Sequence, residues 1–285
     1  MITTETISLA LQQATARLSG LHRVNPRLEA EILLAHTLGK PRTYLFAWPE
    51  NSLDGDSQIR FESLIERRLS GEPSAYLTGH REFWSLQLKV TNETLIPRPD
   101  TELLVEQALR LIPAASAALV ADLGTGSGAI GAAIASERPA CRIFATDISA
   151  AALAVARENF AGLGLGNVHF TQGQWCAALP TEIAFDLIIS NPPYLACGDP
   201  HLAEDGLPWE PAAALIAGPD GLKDIRHIVA TTSEHLAPGG WLLLEHGYDQ
   251  GEQVRYMLSK AGYQHCRTFC DLGGRERVSQ GQRPL

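Results

Sequence analysis

Hydrophobic residues in the first quarter of the chain recur every three or four positions, the spacing of an amphipathic helix. One such helix face consists of Ile7, Leu11, Ala14 and Leu18. A second helix is predicted to begin at Asn25-Pro26, a capping residue followed by a first-turn proline, and to end at Gly39. A third carries apolar residues over 59–69. No phosphate loop, metal-ligand spacing or nucleophile motif occurs in residues 1–80, which favours a helical domain for support or partner docking.

The hydrophobic pattern changes to alternation after residue 80. The alternating apolar residues are Trp84, Leu86, Leu88 and Val90. This pattern predicts a half-buried strand, and residues 94–96 are predicted to return antiparallel to it after a turn at 91–93. We therefore expect a β-hairpin linker over residues 81–96. Asp100-Thr101 is then predicted to cap a helix.

From about residue 117 onward, strand-length apolar segments alternate with helical ones. Strands are predicted at 118–122, 142–146, 167–171, 185–190, 240–245 and 263–269, and helices at 128–137, 149–162, 221–236 and 249–261. This alternation is typical of an α/β fold in which helices cover both faces of a parallel or mixed sheet. We expect it to form one domain over residues 97–285.

The composition is that of an ordinary globular protein. Of 285 residues, 45% are hydrophobic and 19% charged, which excludes a disordered or collagen-like chain. No apolar run approaches the roughly 20 residues that cross a bilayer, so no membrane segment is expected. The polar N-terminal sequence predicts no secretory signal. Five cysteines, an odd number, indicate free thiols in a reducing cytoplasm.

The net charge weighs against direct nucleic-acid binding. The chain has 23 Lys and Arg against 32 Asp and Glu, a formal charge of −9, whereas a non-specific nucleic-acid binder is expected to carry the opposite balance. The net charge does not exclude a local basic patch on an otherwise acidic protein.

A glycine-rich loop follows the predicted strand 118–122 and opens a predicted helix. Its residues are Gly124, Thr125, Gly126, Ser127 and Gly128. Glycines let a backbone turn sharply and approach a ligand closely, because no Cβ intervenes. Asp147, 19 residues beyond the loop, ends the next strand, where a carboxylate accepts hydrogen bonds from ribose hydroxyls. Together they predict a nucleoside cofactor, either a dinucleotide or another adenosine-bearing one.

A second motif follows the apolar strand 185–190. Its residues are Asn191, Pro192, Pro193 and Tyr194. In an open α/β sheet, ligands bind beyond the carboxyl ends of the strands. The prolines hold the backbone extended and leave the Pro192 carbonyl free, while Asn191 offers a second acceptor oxygen and Tyr194 an aromatic face. Two acceptors and an aromatic wall suit a planar –NH2 group. A redox nicotinamide site has no evident use for this arrangement.

Short motifs along the whole chain form a set with a family resemblance. They are Gly71-Glu72-Pro73, Leu77-Thr78-Gly79, Arg81-Glu82-Phe83-Trp84, Ile96–Glu102, Asp122–Gly128, Asn191–Tyr194, Glu210-Pro211, Leu244–Gly247 and Arg275–Val278. The set resembles that of the bacterial peptide chain release factor glutamine N5-methyltransferases, the PrmC/HemK family, which are class I S-adenosylmethionine-dependent methyltransferases. The resemblance implies a Rossmann-like methyltransferase sheet behind a helical substrate-docking domain.

The resemblance also implies roles for individual residues. Gly124–Gly128 are implied to lie along the amino-acid and ribose portions of S-adenosylmethionine, Asp147 to hold its ribose hydroxyls and Trp175 to pack against its adenine. Gln174 stands where relatives usually carry an acid. Asn191 is implied to contact both the cofactor and the substrate. Asn191 and the Pro192 carbonyl are implied to accept the two N–H groups of the substrate amide, with Pro193 beside it and Tyr194 as its wall.

The implied substrate is the glutamine of the Gly-Gly-Gln motif in class 1 release factors, which are cytoplasmic proteins of translation termination. The implied cofactor product is S-adenosylhomocysteine. An alternative is a nucleic-acid amino methyltransferase acting on adenine N6 or guanine N2. A nicotinamide oxidoreductase and a non-catalytic cofactor-binding scaffold are weaker alternatives.

The sequence leaves two interpretations open for several polar residues. Arg98 and Glu102 either orient a substrate loop or form an interdomain salt bridge, and Glu245-His246 are either structural or catalytic. Cysteines 266 and 270 are interpreted as incidental thiols, with no metal site, because no second cluster stands at ligand spacing.

Overall fold

The computed structural model describes residues 5–21, 24–204 and 206–285, so parts of the predicted N-terminal domain and of the polar N-terminal sequence lie outside the described residues. The chain forms two compact units. The helical unit comprises Met1–His80 and Ala203–Trp209, and the sheet unit comprises Arg81–Leu202 and Glu210–Leu285.

Five α-helices lie in the described residues of the helical unit. They are α1 (Ile7–Leu18), α2 (Pro26–Leu38), α3 (Arg42–Ala47), α4 (Gly55–Leu69) and α5 (Ser74–Thr78). The predicted ends of α2 are confirmed, since the Asn25 side chain accepts from the backbone N–H groups of Arg27 and Leu28, and Gly39 ends the helix at φ +60°. The short helices α3 and α5 follow prolines and lack a side-chain cap, and the sequence did not predict them.

A two-stranded hairpin opens the sheet unit, but its turn is not the predicted one. Strands β1 (His80–Phe83) and β2 (Leu86–Lys89) pair around Trp84 and Ser85, which have φ values of 52° and 60°. The predicted strand through Trp84 and its return over 94–96 are therefore wrong. The Trp84 backbone N–H donates to Glu102 Oε1 and its indole Nε1 to Glu137 Oε1, each at 3.0 Å. These distant partners hold a turn that local alternation does not show.

The main sheet has seven strands. They are β3 (Leu119–Leu123), β4 (Arg142–Asp147), β5 (Val168–Gln172), β6 (Phe185–Ser190), β7 (Leu236–Glu245), β8 (Gln264–Cys270) and β9 (Glu276–Gln282). Their spatial order is β5-β4-β3-β6-β7-β9-β8, with β9 antiparallel to both of its neighbours and β3 to β7 parallel. The predicted α/β fold with a mixed sheet is confirmed. The polar strand β9 was not predicted.

Helices cover both faces of this sheet. They are α6 (Glu102–Leu111), α7 (Ala129–Glu137), α8 (Ala150–Gly162), α9 (Lys223–Thr232) and α10 (Gly251–Lys260). Successive strand residues point to opposite faces, so Val120 belongs to the cluster under α6 to α8 and Ala121 to the cluster under α9 and α10. The strand order reverses between β3 and β6, which places a binding crevice at the carboxyl ends of these two strands.

The start of α6 differs from the prediction. Pro99–Thr101 form one 3-10 turn, and the Thr101 side chain makes no capping bond to the helix. The predicted cap is therefore wrong, because Thr101 already has helical backbone angles of φ −66° and ψ −18°. Within the described ranges, no helix has both the length and the apolar character that a membrane span requires.

Candidate active site

A cavity of about 530 Å³ lies at the carboxyl ends of the parallel strands, entirely within the sheet unit. The loops after β3, β4, β5 and β6 supply one part of its wall. Residues Glu93, Leu95, Pro97, Pro211, Ala213 and Ile216 are part of the rest. The sequence predicted the loops at the strand ends but not this second set, which comes from segments without regular strands.

The glycine-rich loop brings its backbone against the cavity. Gly124 has φ +69°, and a Cβ at this position would lie 2.9 Å from the ring of Trp175. The Thr125 N–H donates to the Thr146 carbonyl at 2.9 Å, which ties the loop to β4. Gly124 to Ser127 all line the cavity.

Gly128 is not among the residues that line the cavity. It lies at φ +84° immediately before α7, and a Cβ there would come within 3.1 Å of Phe160 and 3.2 Å of the Ala156 Cβ. Its visible role is close packing of α7 on α8.

Buried Asp122 supports the loop from below. Its Oδ2 accepts from the Thr125 hydroxyl at 2.6 Å and from the Gly131 N–H at 3.1 Å. Burial raises the pKa of Asp122 to about 6, and these two hydrogen bonds oppose that shift. The carboxylate therefore fixes the start of α7 relative to β3.

Asp147 lies at the end of β4 and lines the cavity. Its Oδ2 accepts from the Gly126 N–H and its Oδ1 from the Ser149 N–H, both at 2.9 Å. Burial raises the pKa of Asp147, whereas these backbone bonds lower it. Each oxygen keeps further lone-pair capacity, so the carboxylate is held in place and is still able to accept hydrogen bonds from a ligand.

Trp175 and Gln174 form the wall next to Asp147. Trp175 has φ +47°, and its indole Nε1 is buried without a hydrogen-bond partner. The ring covers Gly124, as the close approach at that glycine shows. Gln174 lines the same part of the cavity with an exposed side chain.

Asn191 presents an unused acceptor. Its Nδ2 donates to the Thr101 Oγ1 at 3.1 Å, and its Oδ1 is buried without a partner. Asn191, Pro193 and Thr101 line the cavity, whereas Pro192 and Tyr194 follow in the same loop but are not part of the lining. The structure therefore brings one of the two predicted acceptors to the cavity wall and leaves Tyr194 behind it.

The Tyr194 hydroxyl donates to Glu245 Oε1 at 3.4 Å, and its carbonyl accepts from Gln250 Nε2 at 3.0 Å. Burial and the charge of Glu245 raise the pKa of Tyr194, so the hydroxyl stays protonated. Burial also raises the pKa of Glu245 to about 7, while the Thr101 hydroxyl and the charge of Arg277 lower it.

His246 has a structural environment. It is buried, its Nε2 lies 2.8 Å from the Ser279 hydroxyl and its Nδ1 2.9 Å from the Gly247 carbonyl. Burial lowers the pKa of His246. Both ring nitrogens are thus used within the fold, which favours the structural interpretation.

Arg98 and Glu102 have different partners. Arg98 forms a salt bridge with the buried Glu210, whose Oε2 also accepts from the Ile96 N–H at 3.0 Å, whereas Glu102 holds the hairpin turn. Glu210 directly precedes Pro211 of the cavity wall, so this cluster fixes two wall segments to each other. Thr101 and Glu210 were missed as site residues, although both lie in motifs that the family resemblance had singled out.

The cysteine thiols belong to no metal centre in the part of the chain that is described. There, no three or more His, Cys, Asp or Glu side chains are grouped so that they could hold a metal ion.

Comparison with known proteins links this chain to a family. The PrmC N-terminal domain family matches residues 10–79, and the methyltransferase small domain family matches residues 99–203. The release factor glutamine methyltransferase of Vibrio cholerae serotype O1 is 48% identical over 277 residues, which are 97% of this chain and 96% of the relative. That of Pseudomonas aeruginosa is 51% identical over 256 residues, 90% of this chain and 92% of the relative. A solved methyltransferase structure from Pyrococcus furiosus, 17% identical with a TM-score of 0.53, covers 77% of this chain and 98% of its own and supports the fold alone.

Proposed function

Because the chain belongs to the family of release factor glutamine methyltransferases, we propose that it methylates the side-chain amide nitrogen of a glutamine in class 1 peptide chain release factors. The glutamine is that of the Gly-Gly-Gln motif, and S-adenosylmethionine is the methyl donor. The observation that carries this proposal is the buried, unpartnered Oδ1 of Asn191 in a cavity shared with the glycine-rich loop.

The residues of the cavity fit S-adenosylmethionine. The Gly124 Cα leaves no room for a methyl group under the Trp175 ring, and Asp147 is anchored by two backbone N–H groups with lone pairs to spare. We assign the cofactor to Gly124–Ser127, Asp147 and Trp175, with Gly128 as support of the loop. Gln174, which lines the cavity beside Trp175, would accept from the adenine amino group without a negative charge. When bound, the cofactor supplies an electrophilic methyl group on a sulfonium.

The chain itself orients the amide. An amide nitrogen is a poor nucleophile because its lone pair is delocalised into the carbonyl. Asn191 Oδ1 accepts one N–H of the substrate glutamine, and the Pro192 carbonyl accepts the other as the family pattern implies. Pro193, which lines the cavity, confines the amide plane, and Tyr194 supports this loop from behind the wall. These acceptors become better matched as the nitrogen gains positive charge, so catalysis rests on orientation and electrostatic stabilisation.

The helical unit is proposed to dock the release factor outside the methylated loop. Its residues 10–79 match the PrmC N-terminal domain family. Since release factors work at the ribosome, the proposal places the reaction in the cytoplasm and requires no nucleic-acid contact by this chain.

Mass spectrometry of a release factor incubated with the protein and S-adenosylmethionine tests the proposal. We expect one added methyl group on the glutamine of the Gly-Gly-Gln motif and none on a Gly-Gly-Asn variant. Asn191→Ala should bind S-adenosylhomocysteine within about twofold of the native protein, yet lose at least about a hundredfold in turnover, the scale of a lost transition-state acceptor. An unmodified glutamine, with cofactor binding intact, would overturn the proposal.

A further inference from the structure

The Asn191 side chain performs its proposed role in only one of two orientations. An Asn amide has an acceptor oxygen on one side and two donor hydrogens on the other, in nearly the same shape. If the group turned over, its N–H would face the N–H of the substrate amide and repel it. Something must therefore hold the Asn191 amide with Oδ1 toward the substrate.

We propose that Thr101 and Glu245 are positioning residues that fix the Asn191 amide in this orientation. The inference rests on the proposed function and deepens it. Asn191 Nδ2 donates to the Thr101 Oγ1 at 3.1 Å, and the Thr101 hydroxyl is close enough to Glu245 to lower the pKa of that carboxyl group.

Glu245 determines which way the Thr101 hydroxyl donates its hydrogen bond, and therefore which side of the Asn191 amide faces Thr101. A threonine hydroxyl both donates and accepts, so Thr101 alone does not choose between the two faces of an amide. Above the Glu245 pKa of about 7, for example at pH 8, this carboxylate is ionised and only accepts hydrogen bonds. A Thr101 proton turned toward the buried and otherwise unpartnered Oε2 of Glu245 leaves the lone pairs of Thr101 Oγ1 to select the N–H side of Asn191.

The Thr101 hydroxyl makes no hydrogen bond to helix α6. Thr101 ends the 3-10 turn before α6 with helical backbone angles, and its side chain makes no bond to the helix. Its side chain is nonetheless buried, with the residue 3% exposed. Because this buried hydroxyl bonds the Asn191 side chain and not the helix, we assign it the role of positioning Asn191.

The sheet register places Glu245 next to the Asn191 loop. Strands β6 and β7 pair in parallel up to Ser190 and Leu244, so Asn191 and Glu245 are the next residues on adjacent strands. Glu245 also accepts from the Tyr194 hydroxyl at 3.4 Å. One carboxylate at the end of β7 thus orients both Asn191 and Tyr194, the first and last residues of the motif after β6.

Kinetics of Thr101→Val and Thr101→Ser test the positioning role. On a Gly-Gly-Gln substrate at pH 8, we expect Thr101→Val to lower kcat by about tenfold to a hundredfold, the range for one lost hydrogen bond in a buried network. The KM and S-adenosylhomocysteine affinity should stay within about twofold of the native values, since no cofactor group is removed. Thr101→Ser keeps the hydroxyl and should restore most of kcat. Thr232→Val, at another buried threonine whose hydroxyl bonds the Ile228 carbonyl, is the matched control and should lower only the unfolding temperature.

A double-mutant cycle shows whether Thr101 acts through Asn191. In an Asn191→Ala background, Thr101→Val should have no further effect on kcat, and Glu245→Gln in the Thr101→Val background should add less than in the native protein. Independent, multiplying losses would overturn the inference, as would native kcat in Thr101→Val.

The side-chain amide of Asn191 gives a readout that needs no turnover. Its NMR signals, assigned by their loss in Asn191→Ala, should show slow hydrogen exchange in the native protein and in Thr101→Ser, and fast exchange in Thr101→Val. Fast exchange in the native protein would overturn the positioning role. Slow exchange together with an unmethylated release factor would overturn only the proposed function.

Discussion

At Gly124, the backbone and an aromatic ring share a space too small for a methyl group. A Cβ there would lie 2.9 Å from the Trp175 ring, whereas at Gly126 nothing lies within 4 Å of a Cβ, and both glycines have positive φ. The two positions therefore separate steric contact with the ring from backbone strain, which costs an alanine about 1–2 kcal/mol in either case.

We expect Gly124→Ala to weaken S-adenosylhomocysteine binding about tenfold more than Gly126→Ala does, because only the first displaces the Trp175 ring from the cavity wall. Titration calorimetry measures the two affinities, and thermal unfolding of both variants corrects for the shared strain. Equal affinities would show that the ring does not form the cofactor site.

Glu245 makes the stability of the protein depend on pH. Burial raises its pKa from the ordinary value of 4.5 to about 7, so the folded protein holds this proton more tightly than the unfolded chain does. Between these values, unfolding releases a proton. The free energy of unfolding therefore falls as pH rises, by at most about 1.4 kcal/mol per pH unit for one group.

Glu245→Gln removes this titration. In urea unfolding from pH 5 to 8, we expect the native protein to lose more stability with rising pH than the variant, with the difference levelling off above about pH 7. Other groups, including Asp122 with a pKa of about 6, titrate in both proteins and cancel. Parallel stability curves would contradict the assigned environment of Glu245.

At the scale of elements, Asn159 on α8 connects the hairpin to the glycine-rich loop. Its Oδ1 accepts from the Lys89 N–H at 2.6 Å, and its Nδ2 donates to the carbonyls of Lys89 at 3.0 Å and Ser127 at 2.8 Å. Asn159→Ala leaves three backbone groups without their partner. We expect it to lower the free energy of unfolding by about 3 kcal/mol, measured by urea unfolding.

Asn167→Ala is the matched control, because the Asn167 side chain makes one backbone bond, to the Cys141 carbonyl at 2.8 Å. Its expected loss is about 1 kcal/mol. A loss in Asn159→Ala no larger than in this control would mean that the three bonds do not hold the hairpin in place.

Elements were predictable where their chemistry is local. The ends of α2 depend on Asn25 and Gly39, which act on backbone groups a few residues away, and both were predicted from the sequence. The hairpin turn at Trp84 depends on Glu102 and Glu137, which are brought near only by folding. Strand β9 has weak alternation of its own and is held between β7 and β8. Neither feature leaves a local signal in the sequence.

The candidate site divides in the same way. Gly124, Asp147 and Asn191 lie at strand ends, and their place follows from strand order and the rule that ligands bind at carboxyl ends. Thr101 and Glu210 join the site through contacts across the fold, with Asn191 and Arg98 respectively. The sequence pattern gave Thr101 only the role of a helix cap and gave Glu210 no role, because both depend on partners that are distant along the chain.

At the scale of the whole molecule, the two units have separate hydrophobic cores. Among the described residues, the buried cluster of the helical unit draws on residues 7–77, and those of the sheet unit draw on residues 83–278. The cavity and all of its lining belong to the sheet unit. The sheet unit is therefore expected to keep its fold and its cofactor site without residues 1–80.

A fragment of residues 81–285 tests the division of labour between the units. If the helical unit docks the release factor, the fragment should bind S-adenosylhomocysteine like the full chain and methylate a short Gly-Gly-Gln peptide at a similar kcat/KM. Its kcat/KM on the intact release factor should fall by at least about thirtyfold, the equivalent of one interface hot spot of about 2 kcal/mol. Residues 203–209 belong to the helical unit but remain in this fragment, and the peptide assay is the control for any effect of that change on the cavity. Equal losses on peptide and protein would therefore argue against docking and assign the helical unit a purely supporting role.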